Sequence, residues 1–350
     1  MDPLTHTLAG ANLASTRLGR KTPLAAAALV IGANLPDVDA ILYFTGHRDF
    51  ALEFRRGWTH GVLALVVLPF VLTGLLMLYA RIRSARLQPG EVGLKPDPTQ
   101  LLLLSSLAIL THPALDWLNT YGMRWLMPFR GTWSYGDSVY IMDPWLWLIF
   151  GAGVLASKRA SAPVLVVFGV IAALLMWFVA PRRPEYIPVV AFVALVLLVA
   201  LLWRAKRSWA PVALLVASCY IGARLLIHHA TVRDVRRELP DATRVMTGPH
   251  PLDPTRWDIV AQTGDVYYQG RYSWRDRTLT LEPRAFPVAK ESPEWSAARR
   301  EPSIRGFMTW VRFPWYEVER RPDATIVRIG DARRRSGNVI QLTLPPSPRR

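Results

Sequence analysis

Residues 61–80 read GVLALVVLPFVLTGLLMLYA, an uncharged stretch opened by His60 and closed by Arg81. A bilayer core about 30 Å thick asks for roughly 20 apolar residues per helix, so this stretch predicts a membrane span and sets the class of the region around it. Residues 101–118, 163–180, 187–203 and 210–227 have the same character, each bounded by charge, Pro or both. Residues 144–157 (PWLWLIFGAGVLAS) are short for a span unless the helix starts earlier. Residues 24–44 are interrupted by Asn34, Pro36, Asp37 and Asp39. The expectation is about seven membrane segments. The opening MDPLTHTLAGANLAST is too short to span and has no basic region ahead of its apolar part. It is read as a short helix entering the membrane region rather than as a cleaved signal.

Composition agrees with that class. Of 350 residues, 51% are hydrophobic and 19% charged, too apolar for an ordinary soluble basic protein. The net charge of +16 is not one basic face. Counted from the sequence, residues 1–230 hold 20 basic and 11 acidic side chains, and residues 231–350 hold 22 and 15. In the first part the basic residues lie mostly between the apolar runs. The loops after residues 16, 80, 157 and 203 carry 12 Lys and Arg; the alternating loops carry 7, among them Arg48, Arg55, Arg56, Arg124 and Arg130. The positive-inside rule then predicts that residues 45–60, 119–143 and the C-terminal region lie outside the cytoplasm. The single cysteine, Cys219, excludes an intramolecular disulfide framework and any cysteine-rich zinc module.

The C-terminal part changes period. DVYYQGRYSW, TLTLEPRAF, MTWVRFPWYEVER and ATIVRIG are aromatic or β-branched runs separated by Gly, Pro and charged clusters, which predicts strands. The expected organisation is an all-α polytopic membrane domain over residues 1–230 and a small β-rich extramembrane domain over 231–350. No phosphate-binding loop or dinucleotide fingerprint occurs. The mixture of acidic and basic residues in the tail argues against a nucleic-acid partner.

An ionisable side chain at membrane depth costs about 2.5–3.5 kcal/mol on insertion scales, so clusters of them are candidate functional sites. Here the cluster is selective: Asp37 and Asp39 in ANLPDVDAI, His60 in RRGWTHGV, His112 and Asp116 in LTHPALDWLN, and His6 in LTHTLAG. Imidazole and carboxylate together are the ligand set of zinc, manganese or iron centres. His112 and Asp116 are four residues apart and share a helical face. Asp37 and Asp39 are two apart and would diverge on a regular helix; Pro36 favours a helix start or break from which they could converge. Blander readings stand beside these: a structural His112–Asp116 pair, an interfacial His60, a capping Asp37, an interfacial His6. His47, His228 and His229 read as solvated or interfacial. Residues 121–147 are rich in Trp, Tyr, Gly and Pro and read either as an aromatic interfacial belt or as a loop over a metal cavity. In the second case Arg124 or Arg130 would bind an anionic substrate group, while Asn119, Asp137 and Asp143 would orient ligands.

Five motifs in order, MDPLTHTLAGANLA, NLPDVDAI, RRGWTHGVLAL, THPALDWLNTYGMRWLMPF and YGDSVYIMDPWLW, resemble the bacterial and archaeal membrane-bound metal-dependent hydrolases of the YdjM type, also described as LexA-regulated. The resemblance covers roughly residues 1–160. It implies an integral membrane protein with metal-dependent hydrolase activity and ligands at His6, Asp37, Asp39, His60, His112 and Asp116, the positions already singled out. The resulting expectation is a prokaryotic inner-membrane hydrolase holding one or two divalent ions, zinc first and manganese or iron next. Asp39 or Asp116 would be the catalytic base. The expected partners are membrane lipids and a phosphoester substrate, lipid-linked or otherwise, near the outer face, with an ester or amide as the next choice. An ion-binding or transport protein, or an anchor for the C-terminal domain, is the alternative.

Overall fold

The computed structural model describes residues 1–46, 48–157, 208–251, 253–334 and 339–345. The expected segments 163–180 and 187–203 lie outside the described residues, as do His47 and the basic residues between 158 and 207. The chain divides into two compact units. One comprises Met1–Pro36, Leu63–Leu115 and Ile141–Gly222; the other comprises Asp37–Val62, Asp116–Tyr140 and Ala223–Arg350.

The first unit is helical. Helix α1 (Pro3–Ser15) is capped by Asp2, whose carboxylate accepts from the Leu4 and Thr5 amides, with Pro3 at the first position where a missing N–H is harmless. Helices α2 (Ala25–Gly32), α4 (Val62–Ala85) and α5 (Pro98–Trp117) pack through Ala25, Ala28, Leu29, Leu72, Leu76, Leu101, Leu104, Ala108 and Ile109. Small residues on α2 let the helices approach closely, as membrane bundles require where no hydrophobic effect drives association. The face of α4 bearing Val66, Val67, Phe70, Leu75 and Leu78 is apolar yet exposed. A helix apolar all round with an uncovered outer face suits a lipid environment. Helix α6 (Pro144–Ser157) starts at Asp143, which caps it through the Trp145 and Leu146 amides.

Three helices among the described residues are long and apolar enough to cross a bilayer: α4, α5 and α7 (Ala210–Glu238). The count becomes four if α2 and the following 3₁₀ helix (Leu35–Thr45), bent by 46°, form one broken span. The expected count of seven is therefore not reached among the described residues. Helix α6 has 14 residues, which at 1.5 Å per residue falls short of a bilayer core.

The second unit contains α3 (Arg48–Phe54), the end of α7 and two antiparallel sheets, ordered β1-β2-β3-β4 and β5-β6-β7. The strands are β1 (Ala242–Pro249), β2 (Arg256–Thr263), β3 (Val266–Ser273), β4 (Thr278–Pro287), β5 (Pro314–Arg320), β6 (Thr325–Asp331) and β7 (Ile340–Leu344). The C-terminal β-sheet region is thus present as expected. The run MTWVRFPWYEVER divides: Met308 to Trp310 end helix α9 (Arg305–Trp310), and only the stretch from Pro314 is strand. Helix α8 (Pro293–Arg300) and α9 bring Trp295, Ala298, Phe307 and Trp310 against Val327 and Ile329 of β6. Tyr121 and Trp133, from the segment after α5, pack on the same cluster. The buried part of β2, Trp257, Ile259 and Ala261, packs with Val235 of α7.

Candidate metal centre

Within the second unit the carboxylates come from two helix ends. Pro36 occupies the second position of the 3₁₀ helix, where its missing N–H breaks no hydrogen bond. Three residues per turn bring Asp37 and Asp39 to about 120° apart, closer than on an α-helix. Asp116 stands in the last turn of α5, and Asn119 follows it. The turn between α3 and α4 supplies Arg55, Arg56, Thr59 and His60. Arg56 takes a left-handed conformation, φ 53°, and its amide donates to Asp39 Oδ2 at 3.3 Å. A Cβ on Gly57 next to it would come within 2.6 Å of the Arg124 guanidinium, which would have to shift.

The hydrogen bonds set the orientation of His60. The Thr59 hydroxyl has one hydrogen, which it donates to Asp39 Oδ2 at 2.6 Å. With Asp39 ionised, it can then only accept from His60 Nδ1, 2.8 Å away, which places the proton on Nδ1. The other ring nitrogen, Nε2, lies 3.2 Å from Asp116 Oδ2 and 3.8 Å from Asp37 Oδ1. A lone pair facing two carboxylate oxygens is repulsive unless a cation stands among them; the alternative is a doubly protonated imidazolium. Ligand bonds of 2.0–2.1 Å in a tetrahedral site put neighbouring donor atoms about 3.3 Å apart, which lies between the two distances found. The donor set, one imidazole nitrogen and two carboxylate oxygens, fits a borderline-soft divalent ion.

In the first unit His112 donates from Nδ1 to the Ala33 carbonyl at 2.7 Å, which makes Nε2 its acceptor nitrogen. That is the outer partner a ligating histidine usually has. His6 stacks on His112, ring centroids 3.6 Å apart. Helix α5 is continuous through His112 and Asp116 and presents both one turn apart. Asp37, His60, His112 and Asp116 each offer one ligand atom, and these atoms lie within 4.8 Å of one another; the last three residues are buried. This cluster could hold a metal ion. His6 and Asp39, the other two expected ligands, fall outside that group of four.

Two arginines offset the buried negative charge. Arg56, 1% exposed, donates to Asp116 Oδ1 at 2.9 Å and to Asn119 Oδ1 at 3.1 Å. Arg55 reaches Asp37 Oδ1 at 3.2 Å and Asp39 Oδ1 at 3.6 Å. Against three carboxylates this leaves one formal negative charge if the histidines are neutral. Burial pushes the Arg56 guanidinium down to about 10, so it remains charged at neutral pH. From the sequence alone both arginines look like loop charges. The signal present in RRGWTH is a twin Arg a few residues before a histidine that opens an apolar run, in a chain whose carboxylates in apolar segments need counter-ions.

The remaining candidates separate by contact. Asn119 is fully buried; its Oδ1 accepts from Arg56 and from the Tyr121 amide. Arg124 is 4% exposed and donates to the carbonyls of Glu53, Phe54 and Arg55 at the end of α3. Arg130 is exposed. Both oxygens of Asp137 accept from Arg312. Asp143 caps α6 and accepts from the Tyr220 hydroxyl at 3.0 Å.

The YdjM inner membrane protein family matches residues 1–184. The uncharacterized protein YfhP of Bacillus subtilis (strain 168) is 20% identical over 344 residues, an alignment spanning 96% of this chain and 88% of YfhP. No solved structure matches.

Proposed function

The chain belongs to the YdjM inner membrane protein family, and from that premise we propose that it is a metal-dependent hydrolase of the cytoplasmic membrane, with Asp37, His60, His112 and Asp116 as the metal ligands. The observation that supports this most is the convergence of His60 Nε2 with Asp37 Oδ1 and Asp116 Oδ2 at ligand-pair spacing. A bound divalent ion would supply Lewis acidity and make water nucleophilic near neutral pH.

The chain's own groups have separate tasks in this reading. Asp39, held by Thr59 and Arg55 beside the group of four, accepts the proton of the attacking water. Arg56 keeps Asp116 Oδ1 engaged, so that Oδ2 is the oxygen presented toward His60. The Arg124 guanidinium is committed to main-chain carbonyls, while Arg55, its side chain 21% exposed and paired with Asp37, is the cation at the edge of the cluster for an anionic substrate group. The substrate class is a phosphoester, lipid-linked where the headgroup lies near the outer face, with an ester or amide next.

A second reading has its own observation. Arg55 and Arg56 already pair with all three carboxylates, as a purely structural ion network would. The membrane part would then anchor the β-sheet region. Elemental analysis of detergent-purified full-length protein, prepared without chelator, decides between the two. The hydrolase reading expects stoichiometric metal in wild type and its loss in Asp37→Ala/His112→Ala. Metal-free wild type, or a double variant that retains its metal, sinks it. Hydrolysis of a lipid-phosphate panel by wild type but not by the double variant then tests the reaction.

A further inference from the structure

The segment Asp116–Tyr140 leaves α5 beside the candidate centre and folds back onto the helix end. The Gly136 amide donates to the Trp117 carbonyl at 2.7 Å, and the Ser138 and Val139 amides donate to the Leu118 carbonyl at 2.8 and 3.0 Å. A Cβ at Gly136 would lie 2.8 Å from both Leu118 Cα and the Trp117 oxygen, so only glycine permits this closure. Between those anchor points stands Asp137, at φ 47°, a left-handed conformation unusual for a residue with a Cβ.

Something outside the segment holds Asp137 there. Arg312, about 175 residues downstream, grips both carboxylate oxygens, NH1 to Oδ1 and NH2 to Oδ2, each at 2.8 Å, with side chains 14% and 5% exposed. Its guanidinium also lies over the Tyr135 ring, 3.8 Å from the centroid. Arg312 is itself fixed: its amide donates to Asp331 Oδ2 at 2.9 Å. Asp331 is bound in turn by Arg333, whose NH1 reaches the Thr120 carbonyl at 2.8 Å. Trp133 Nε1 donates to the Thr309 carbonyl. Two arginines of the C-terminal region thus pin the loop near both of its ends, at Thr120 and at Asp137. A bidentate, largely desolvated pair of this kind is a geometric constraint more than a source of stability.

We propose that Arg312 is a positioning residue for the metal centre: by fixing Asp137 it holds the Gly136–Val139 closure on the end of α5, and thereby the placement of Asp116 and Asn119 against Arg56. The inference rests on the metal reading above and extends it to a region beyond the family match. Arg312 touches no ligand itself, so its loss should lower metal affinity by less than the roughly 10–100-fold typical of a partner bonded directly to a ligand.

The test uses full-length protein in detergent, titrated with Zn²⁺ against a chromophoric chelator, with deuterium exchange followed by peptide. Arg312→Ala should weaken zinc binding by up to about tenfold and accelerate exchange at residues 117–139 while leaving 62–85 unchanged. Arg312→Lys, which keeps the charge but not the fork, should fall between. Arg320→Ala, which breaks the exposed Arg320–Glu294 pair of the same region, should match wild type. Zinc affinity and exchange both unchanged in Arg312→Ala overturn the proposal. Uniform acceleration along the chain in Arg312→Ala, Arg312→Lys and Asp137→Asn alike also overturns it, because the pair is then only a fold element. If wild type binds no zinc, the metal reading fails by itself; exchange confined to 117–139 still supports the positioning, and unchanged exchange refutes it.

Discussion

The two units treat buried polarity in different ways. In the first, buried polar groups meet neutral partners: Asn12 donates to the Leu8 and Phe150 carbonyls, His112 to the Ala33 carbonyl, and the Thr73 hydroxyl to that of Ser105. In the second, buried charges meet partners far along the chain: Arg56 with Asp116, Arg124 with the end of α3, Asp137 with Arg312. A helix satisfies its own backbone and can sit in lipid on its apolar surface alone. Segments built from turns cannot, and their geometry depends on long-range ion pairs that fail sharply when one partner is removed.

The largest expected effect breaks the second unit. Asp116→Ala leaves Arg56 buried without its carboxylate, a loss of about 3–5 kcal/mol, and should sharply lower the yield of folded protein as well as its metal content. Size-exclusion profiles in detergent, followed by elemental analysis, check both. If Asp116→Ala folds as well as wild type, the contrast between the units is wrong. Gly57→Ala comes next: a Cβ against the Arg124 guanidinium overpacks the turn, costing about 1–3 kcal/mol, read as a lower thermal midpoint. Asn12→Ala, in the first unit, removes hydrogen bonds to Leu8 and Phe150. Polar contacts between membrane helices average about 0.6 kcal/mol, so its midpoint should drop less than that of Gly57→Ala. A larger drop would show that the helical unit leans on its neutral polar contacts as heavily as the second unit leans on its charges.

The mildest effect is confined to acid. Burial by itself would raise the Asp331 carboxyl, but the charge and hydrogen bonds of Arg333, with amide bonds from Arg312 and Arg333, hold it below the usual carboxylate range. A depressed folded value means this stabilisation is complete above the unfolded value, near 3.9, and is lost as pH falls through the folded one. Deuterium exchange at residues 312–334 should therefore be flat from pH 7 to about 4, once corrected for the intrinsic rate, and rise below that. Asp331→Asn should lose the acid-dependent part. A wild-type profile that rises already between pH 7 and 5 contradicts the assignment.

The parts legible in the sequence are those with local rules. Residues 61–80, 101–118 and 210–227 announced α4, α5 and α7 because span length is set by bilayer thickness. The aromatic runs announced β3 to β6, whereas β1, β2 and β7 carry no comparable run. β1 (ATRVMTGP) and β2 (RWDIVAQT) mix charges and small residues with their buried positions, so alternation is weak. The run around Trp310 looked like strand but is helix, since Phe307 and Trp310, three apart, both pack into the cluster with Val327 and Ile329. Among site residues, His112 and Asp116 were readable from their four-residue spacing. Arg55 and Arg56 were not, because a basic pair at a loop looks the same whether it faces solvent or a carboxylate. Arg312 carried no signal in a tail rich in arginine.

By itself, then, the sequence determined that this chain has long apolar helices, a β-rich end, and imidazoles and carboxylates placed where lipid would penalise them. Those follow from composition, helix length and spacing along one helix, all within a few residues of each other. Only the tertiary structure decided which nitrogen of His60 meets Asp37 and Asp116, which arginines offset the buried carboxylates, and that Arg312 closes on Asp137. An ion pair requires proximity in space, and nothing in the local spacing of either residue encodes the fold that brings a partner about 175 residues away to within 2.8 Å.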